Sequence, residues 1–269
     1  MKTSYVFQAT LITVAGTLSA LAISASAKAA TLVDLELSLL VDVSGSISTT
    51  EFNLQKQGYV DAFANSSLFN DFISKGNLGK IAANLIYWSG ANQQQEVVGW
   101  TLIDSVASLQ SFSDAINATT RPFSGSTAPG SAINFATPRF FNNDFDGTRL
   151  VIDVSGDGVQ NVGANTAAAR DNALASGVDA INGIVIGGGS ALFNFYDNNV
   201  KGGTGAFVLS ANSFEDFAST IEQKIQTEIS VPTNPRSVPE PASLIGLLGL
   251  GAFGVTTKLK RIQKQSVKC

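Results

Sequence analysis

Histidine is absent from the 269 residues, cysteine and methionine occur once each, and charged side chains make up only 14%. Without histidine no Ser-His-Asp or Cys-His triad can be assembled. With Cys269 as the single cysteine, an intrachain disulfide and an ordinary Cys/His zinc site are excluded as well. The side chains left for chemistry carry oxygen, the donor that hard cations such as Mg2+ and Ca2+ take. Positive charge is also short, with 17 Lys and Arg against 21 Asp and Glu. Lys2, Lys258, Lys260, Arg261, Lys264 and Lys268 lie in the terminal segments, so the chain between them is left at about −10. A surface of that sign repels nucleic acid and anionic lipid unless a cation intervenes.

The two ends carry targeting patterns. Lys2 precedes an apolar run over 9–23 and the small residues Ser24-Ala25-Ser26-Ala27, an order that predicts a secretory signal peptide over 1–27. Residues 231–237 hold two prolines among small polar residues and read as an extended linker. Val238-Pro239-Glu240-Pro241-Ala242-Ser243 follows, then an apolar run over 244–255 and a basic cluster over 258–264. That run falls short of the roughly 20 residues a relaxed membrane span needs, and Gly246, Gly249, Gly251 and Gly254 weaken it as a permanent anchor. The order over 238–269 resembles the Pro-Glu-Pro C-terminal (PEP-CTERM) sorting signal of Gram-negative and cyanobacterial proteins. The resemblance implies export to the cell surface or beyond, a transient inner-membrane intermediate held by the tail, and an exosortase as processing partner. Cys269 has no role in that pattern.

Between the ends, over 31–230, apolar strand-like runs alternate with helical patterns, predicting one α/β domain with an open, mostly parallel sheet and helices on both faces. Strands are expected at 35–41, 81–88, 96–102, 149–154, 178–186 and 206–209. The short polar connection over 90–95 makes the second and third of these an antiparallel pair, so one edge strand runs against the rest. Helices are expected at 105–118, 129–140, 166–176 and 213–229. A further helix opens at the Ser48-x-x-Glu51 capping box, with Phe52, Tyr59 and Phe63 on its inner face.

In parallel sheets ligands bind beyond the carboxyl ends of strands. The first strand is followed by Asp42-Val43-Ser44-Gly45-Ser46, which places oxygens at alternate positions of a tight turn. Two later connections add Thr127, in Gly125-Ser126-Thr127-Ala128-Pro129-Gly130, and Asp157, in Val154-Ser155-Gly156-Asp157-Gly158. Asp153 competes with Asp157, but it falls inside a strand, where a buried hydrogen-bonding role suits it better.

This set resembles the metal-ion-dependent adhesion site of von Willebrand factor A domains, whose element order the chain follows over roughly 195 residues. The strings Ile152-Asp153-Val154-Ser155-Gly156-Asp157-Gly158, Ile86-Tyr87-Trp88-Ser89-Gly90 and 202–208 resemble a bacterial group of exported A-domain proteins. Pro129 departs from that group, at a first helical turn that tolerates proline. The resemblance implies a Rossmann-like A-type fold. It also implies that Asp42, Ser44, Ser46, Thr127 and Asp157 hold Mg2+, or Mn2+ or Ca2+, which accepts an acidic oxygen from a protein or glycan ligand.

Binding rather than catalysis is therefore expected. The rivals are a cation-independent component of an exopolysaccharide matrix and, behind it, a metal-dependent hydrolase. Asp144 and Asp146 read as part of a polar loop rather than a catalytic pair. Gly187-Gly188-Gly189 reads as a tight turn rather than a phosphate loop. Trp88 and Trp100 are expected in the core rather than on a sugar-binding face.

Overall fold

The computed structural model describes residues 29–231. The expected signal peptide and sorting tail, and all of the linker after Val231, lie outside the described residues.

The chain begins with β1 (Thr31–Val33) and β2 (Leu35–Asp42), then α1 (Thr49–Ala64). The capping box at α1 forms as expected: the Ser48 side chain accepts from the Glu51 N–H while the Glu51 carboxylate accepts from the Ser48 N–H. Next come β3 (Ile81–Trp88), β4 (Gln94–Ile103), α2 (Val106–Asn117) and α3 (Pro129–Ala136). Pro129 stands at the start of α3, where a missing N–H costs no helical bond. The helix expected to reach 140 tightens into a 3-10 turn over Thr137–Phe141, since Pro138 cannot donate into an α-helical ladder. Then follow β5 (Phe145–Gly147), β6 (Leu150–Gly156), α4 (Thr166–Ala175), β7 (Ala180–Ile186) and α5 (Gly189–Phe195). The chain closes with β8 (Gly202–Gly203), β9 (Val208–Ala211) and α6 (Phe217–Ser230).

The main sheet has the order β4-β3-β2-β6-β7-β8, with β9 also paired to β7. β3, β2, β6, β7 and β9 run parallel, and β4 is the antiparallel edge strand the sequence predicts. The two-residue β8 adds a second, minor antiparallel pairing. Asp144 and Asp146 lie beside and within β5, which pairs with β1 in a separate two-stranded sheet; the stretch expected to be a polar loop is thus partly strand.

Every residue of β2, β3, β6 and β7 is buried, as parallel strands covered on both faces require. Leu35, Leu37, Leu39 and Val41 face the core shared with α1, α2 and α6, while Leu40, Ile152 and Val154 face the core under α3 and α4. Phe52, Tyr59 and Phe63 of α1 are buried in the first core. This layering brings the carboxyl ends of β2 and β6 side by side, with Val41 opposite Ser155. The loops after those strands therefore open at one end of the sheet.

Candidate metal centre

Asp42 is the last residue of β2 and is fully buried. Its Oδ1 accepts from the Ser44 N–H at 2.7 Å, an Asx turn that fixes the loop, while its Oδ2 is buried with no hydrogen-bond partner among the described residues. The Gln55 side chain donates to the Asp42 carbonyl at 2.9 Å and ties the strand end to α1. Ser44 Oγ lies 3.2 Å from Ser46 Oγ, and Ser46 Oγ donates to Asp157 Oδ1 at 2.7 Å. Asp157 stands one residue beyond β6. Thr127 is nearly buried, and a Cβ on Gly158 would stand 3.5 Å from both its Oγ1 and its Cγ2, so its side chain lies against the turn that carries Asp157. All five expected residues thus meet at one end of the sheet. Asp153 does not join them: it lies inside β6 and pairs with Lys224 of α6.

Several residues that hold these loops in place escaped the sequence reading. Arg121 donates to the carbonyls of Val43 at 2.8 Å and Ser44 at 2.6 Å. The Gly45 N–H donates to the Gly125 carbonyl at 2.7 Å, joining the first loop to the second. Asn161 Oδ1 accepts from the Thr127 N–H at 2.9 Å, joining the second to the third. Ser89 accepts from Gly125 N–H at 2.7 Å and donates to the Ser126 carbonyl at 3.1 Å. For most of these no local pattern exists to be read, because each acts across a long sequence separation. Gln55 is the exception: it sits at helical spacing between Phe52 and Tyr59, a polar residue in the buried stripe of α1.

The electrostatics suit a cation. Burial pushes the Asp42 carboxyl up to about 7 despite the bond from Ser44, and the Asp157 charge adds to the rise. Burial also raises Asp157, opposed by the hydrogen bond from Ser46. Asp42, sealed from water with one unpartnered oxygen, and the half-buried Asp157 beside it are disfavoured as anions, and a divalent ion would reverse that preference. Three of the five oxygens are hydroxyls. Among the described residues no three His, Cys, Asp or Glu side chains gather in a metal-holding group, so a cation here would depend on Ser44, Ser46 and Thr127. Oxygen-only donors fit Mg2+, Mn2+ or Ca2+.

Comparison with known proteins agrees with this architecture. Residues 32–233 match the family described as "Protein of unknown function (DUF1194)", and residues 237–261 match the PEP-CTERM protein-sorting motif. No curated sequence matches the chain. Among solved structures, proximal thread matrix protein 1 from the mussel byssus, in a form with a zinc-occupied MIDAS motif, superposes with a TM-score of 0.55 at 18% identity. That superposition covers 74% of this chain and 46% of the mussel protein. The pilus adhesin SpaC of Lactobacillus rhamnosus GG, in its open conformation, gives 0.52 at 14% identity over 75% of this chain and 31% of its own. The minor pilin PilB of Streptococcus sanguinis gives 0.52 at 14% identity, over 76% and 64%. The chain spans about half or less of the first two relatives' length. At these identities the likeness shows the fold, which is the von Willebrand A type.

Proposed function

The chain belongs to the DUF1194 family and carries the PEP-CTERM motif of exported proteins, and from that premise we propose that it is a surface or matrix protein binding its partner through a divalent cation. Asp42, Ser44, Ser46, Thr127 and Asp157 would hold the ion. The observation that carries this reading is the line of oxygens from Ser44 through Ser46 to Asp157 beside the buried, unpartnered Oδ2 of Asp42. An orphaned carboxylate oxygen in a dry site is costly unless something occupies its lone pairs.

When bound, the cation supplies a positive centre that accepts an acidic oxygen. Two carboxylates among five donors leave its charge no more than balanced, which suits capture of an anionic group rather than turnover. The partner class is accordingly a protein or glycan offering a carboxylate. This explains how an acidic chain can retain an acidic ligand. The zinc-occupied motif of the mussel protein supports the reading by analogy of fold.

The test is calorimetric titration with Mg2+, Mn2+, Ca2+ and Zn2+ of the wild type, Asp42→Ala and Asp157→Ala, each checked for fold by circular dichroism. One saturable site, lost in both variants, is the expected result. A wild type that takes up no cation would sink the proposal and leave cation-independent matrix association as the better account.

A further inference from the structure

Trp100 was expected in the core with Trp88, and the structure separates the two. Trp88 is fully buried, whereas Trp100 is only partly covered and lines a cavity of about 590 Å3. Its other walls are Phe141, Asn142, Asn143, Asp144 and Phe145. β5 and the start of β2 lie here, so the cavity is near the end of the sheet opposite the Asp42 loops.

The walls are held firmly. Trp100 packs on Phe140 with ring centres 5.2 Å apart and planes at 62°. The Asn143 amide donates to Glu36 Oε2 at 2.7 Å and to the Arg139 carbonyl at 2.9 Å, and its Oδ1 accepts from the Phe145 N–H at 2.7 Å. On this fixed turn Phe141 stands 53% exposed, a large apolar ring left in water beside polar neighbours. The indole Nε1 of Trp100 is turned inward, buried without a hydrogen-bond partner among the described residues, so the ring rather than the N–H meets the cavity. On its other side Phe141 borders a second cavity of about 310 Å3, where Asn134, Thr137, Asn172 and Ser176 contribute amides and hydroxyls.

The chemistry of these walls selects a ligand class. No Lys or Arg lines either cavity, so phosphate and sulfate groups find no counter-charge. The aromatic rings are interrupted by amides and a carboxylate, which a lipid chain would leave unsatisfied. A pyranose ring answers both demands, since its C–H face packs on an aromatic ring while its hydroxyls donate to and accept from carboxamides. We propose that this face is a binding site for a neutral oligosaccharide, laid across Phe141 with one end against Trp100 and Asn142 and the other against Asn172 and Ser176. The site is independent of the cation at the far end of the sheet, so one molecule would hold two ligands at once.

The test uses the full-length chain in a detergent without a sugar headgroup. Cellohexaose, maltohexaose and laminarihexaose serve as neutral probes and a hexagalacturonate as the charged one. Binding is read by calorimetry and by tryptophan fluorescence, in which Trp100 is the reporter because Trp88 is sealed in the core. At least one neutral hexasaccharide saturates, equally well in excess chelator and in Asp42→Ala. Phe141→Ala, a change at an exposed ring that leaves the fold intact, weakens it about tenfold. Trp100→Phe removes the fluorescence change. The proposal is overturned if no neutral probe saturates by about 10 mM, if Phe141→Ala binds as well as the wild type, or if binding requires a divalent cation. Preference for the galacturonate would likewise overturn it.

Discussion

The residue that says most about the candidate metal centre, beyond its five oxygens, is Tyr196, which follows α5. Its ring lies across β6 and β7 at two glycines: a Cβ on Gly183 would stand 2.8 Å from its Cδ1. A Cβ on Gly156 would stand 2.9 Å from Asp42 Oδ2 and closer still to the Tyr196 hydroxyl. Two strand positions thus lack side chains so that a tyrosine can reach beneath Asp42. Its hydroxyl and the Asp42 Oδ2 are both buried without a partner among the described residues. With a cation holding Asp42 ionised, its Oδ2 would accept from the Tyr196 hydroxyl, and losing a group hydrogen-bonded behind a metal ligand costs about 10- to 100-fold in affinity. Tyr196→Phe is therefore expected to weaken cation binding about tenfold, while the metal-free protein stays as stable or gains up to about 1 kcal/mol by losing an orphan hydroxyl. Calorimetry beside urea unfolding separates the effects, and unchanged affinity would make Tyr196 a packing residue only. Gly156→Ala should do worse, destabilising by about 1–3 kcal/mol through overpacking, seen as a lower urea midpoint. The oxygens themselves were legible because each sits in a short motif, Asp42 to Ser46 and Asp157 at the ends of β2 and β6 and Thr127 in the loop before α3. Tyr196, Arg121 and Asn161 were not, since their contacts with the loops exist only once distant segments have packed.

At the scale of elements, the sheet and most helices could be read from apolar runs and caps, and the misreadings have local causes. The last helix was expected from 213 but begins at Phe217, because the residues before it form bends even though Phe214 is already buried. β1 and β5 are three residues each, too short for any period to show. The deeper omission is on α6, where Lys224 and Glu228 lie in the same stripe as Phe217, Ile221 and Ile225. Two charges at i,i+4 on an apolar face were the signal. Lys224 Nζ sits 2.6 Å from Asp153 Oδ1 of β6 and 2.6 Å from Glu228 Oε1, with all three side chains fully buried. Glu228 Oε1 also accepts from Asn182 of β7 at 2.7 Å. α6 is thereby joined to two central strands by charge as well as by packing. Lys224→Met removes the buried cation that Asp153 and Glu228 share and should destabilise by about 3–5 kcal/mol. Adding Asp153→Asn and Glu228→Gln removes both charges while keeping an acceptor for Asn182, and most of the loss should return. Urea midpoints of the two variants decide the matter: equal destabilisation would mean that shape, not charge, is what Lys224 contributes.

For the molecule as a whole, the buried acids set how stability responds to pH. Burial raises the Asp153 carboxyl well above the ordinary aspartate range; Lys224 opposes that rise and Glu228 adds to it, with the Tyr59 and Tyr196 hydroxyls and Asn182, its partner in β7, also facing it. A carboxyl raised on folding holds its proton in the native state after the unfolded chain has released it. Its contribution is therefore full below the unfolded value of about 3.9 and is lost as pH climbs through the higher folded value. The exposed Glu51 at the α1 cap works the other way, lowered from 4.5 by its bonds with Ser48, but its contribution changes only near and below that value. With 21 acidic against 17 basic residues, rising pH adds negative charge to a chain already negative, which pushes in the same direction. In excess chelator the urea midpoint should accordingly fall between about pH 5 and about pH 8, the reverse of a protein stabilised by exposed salt bridges. Asp153→Asn should flatten part of that fall, leaving the share of Asp42, whose carboxyl burial likewise pushes up to about 7, and the long-range charge repulsion in place. A midpoint that rises over the interval would show that Asp153 enters the native state ionised, with Lys224 outweighing the burial.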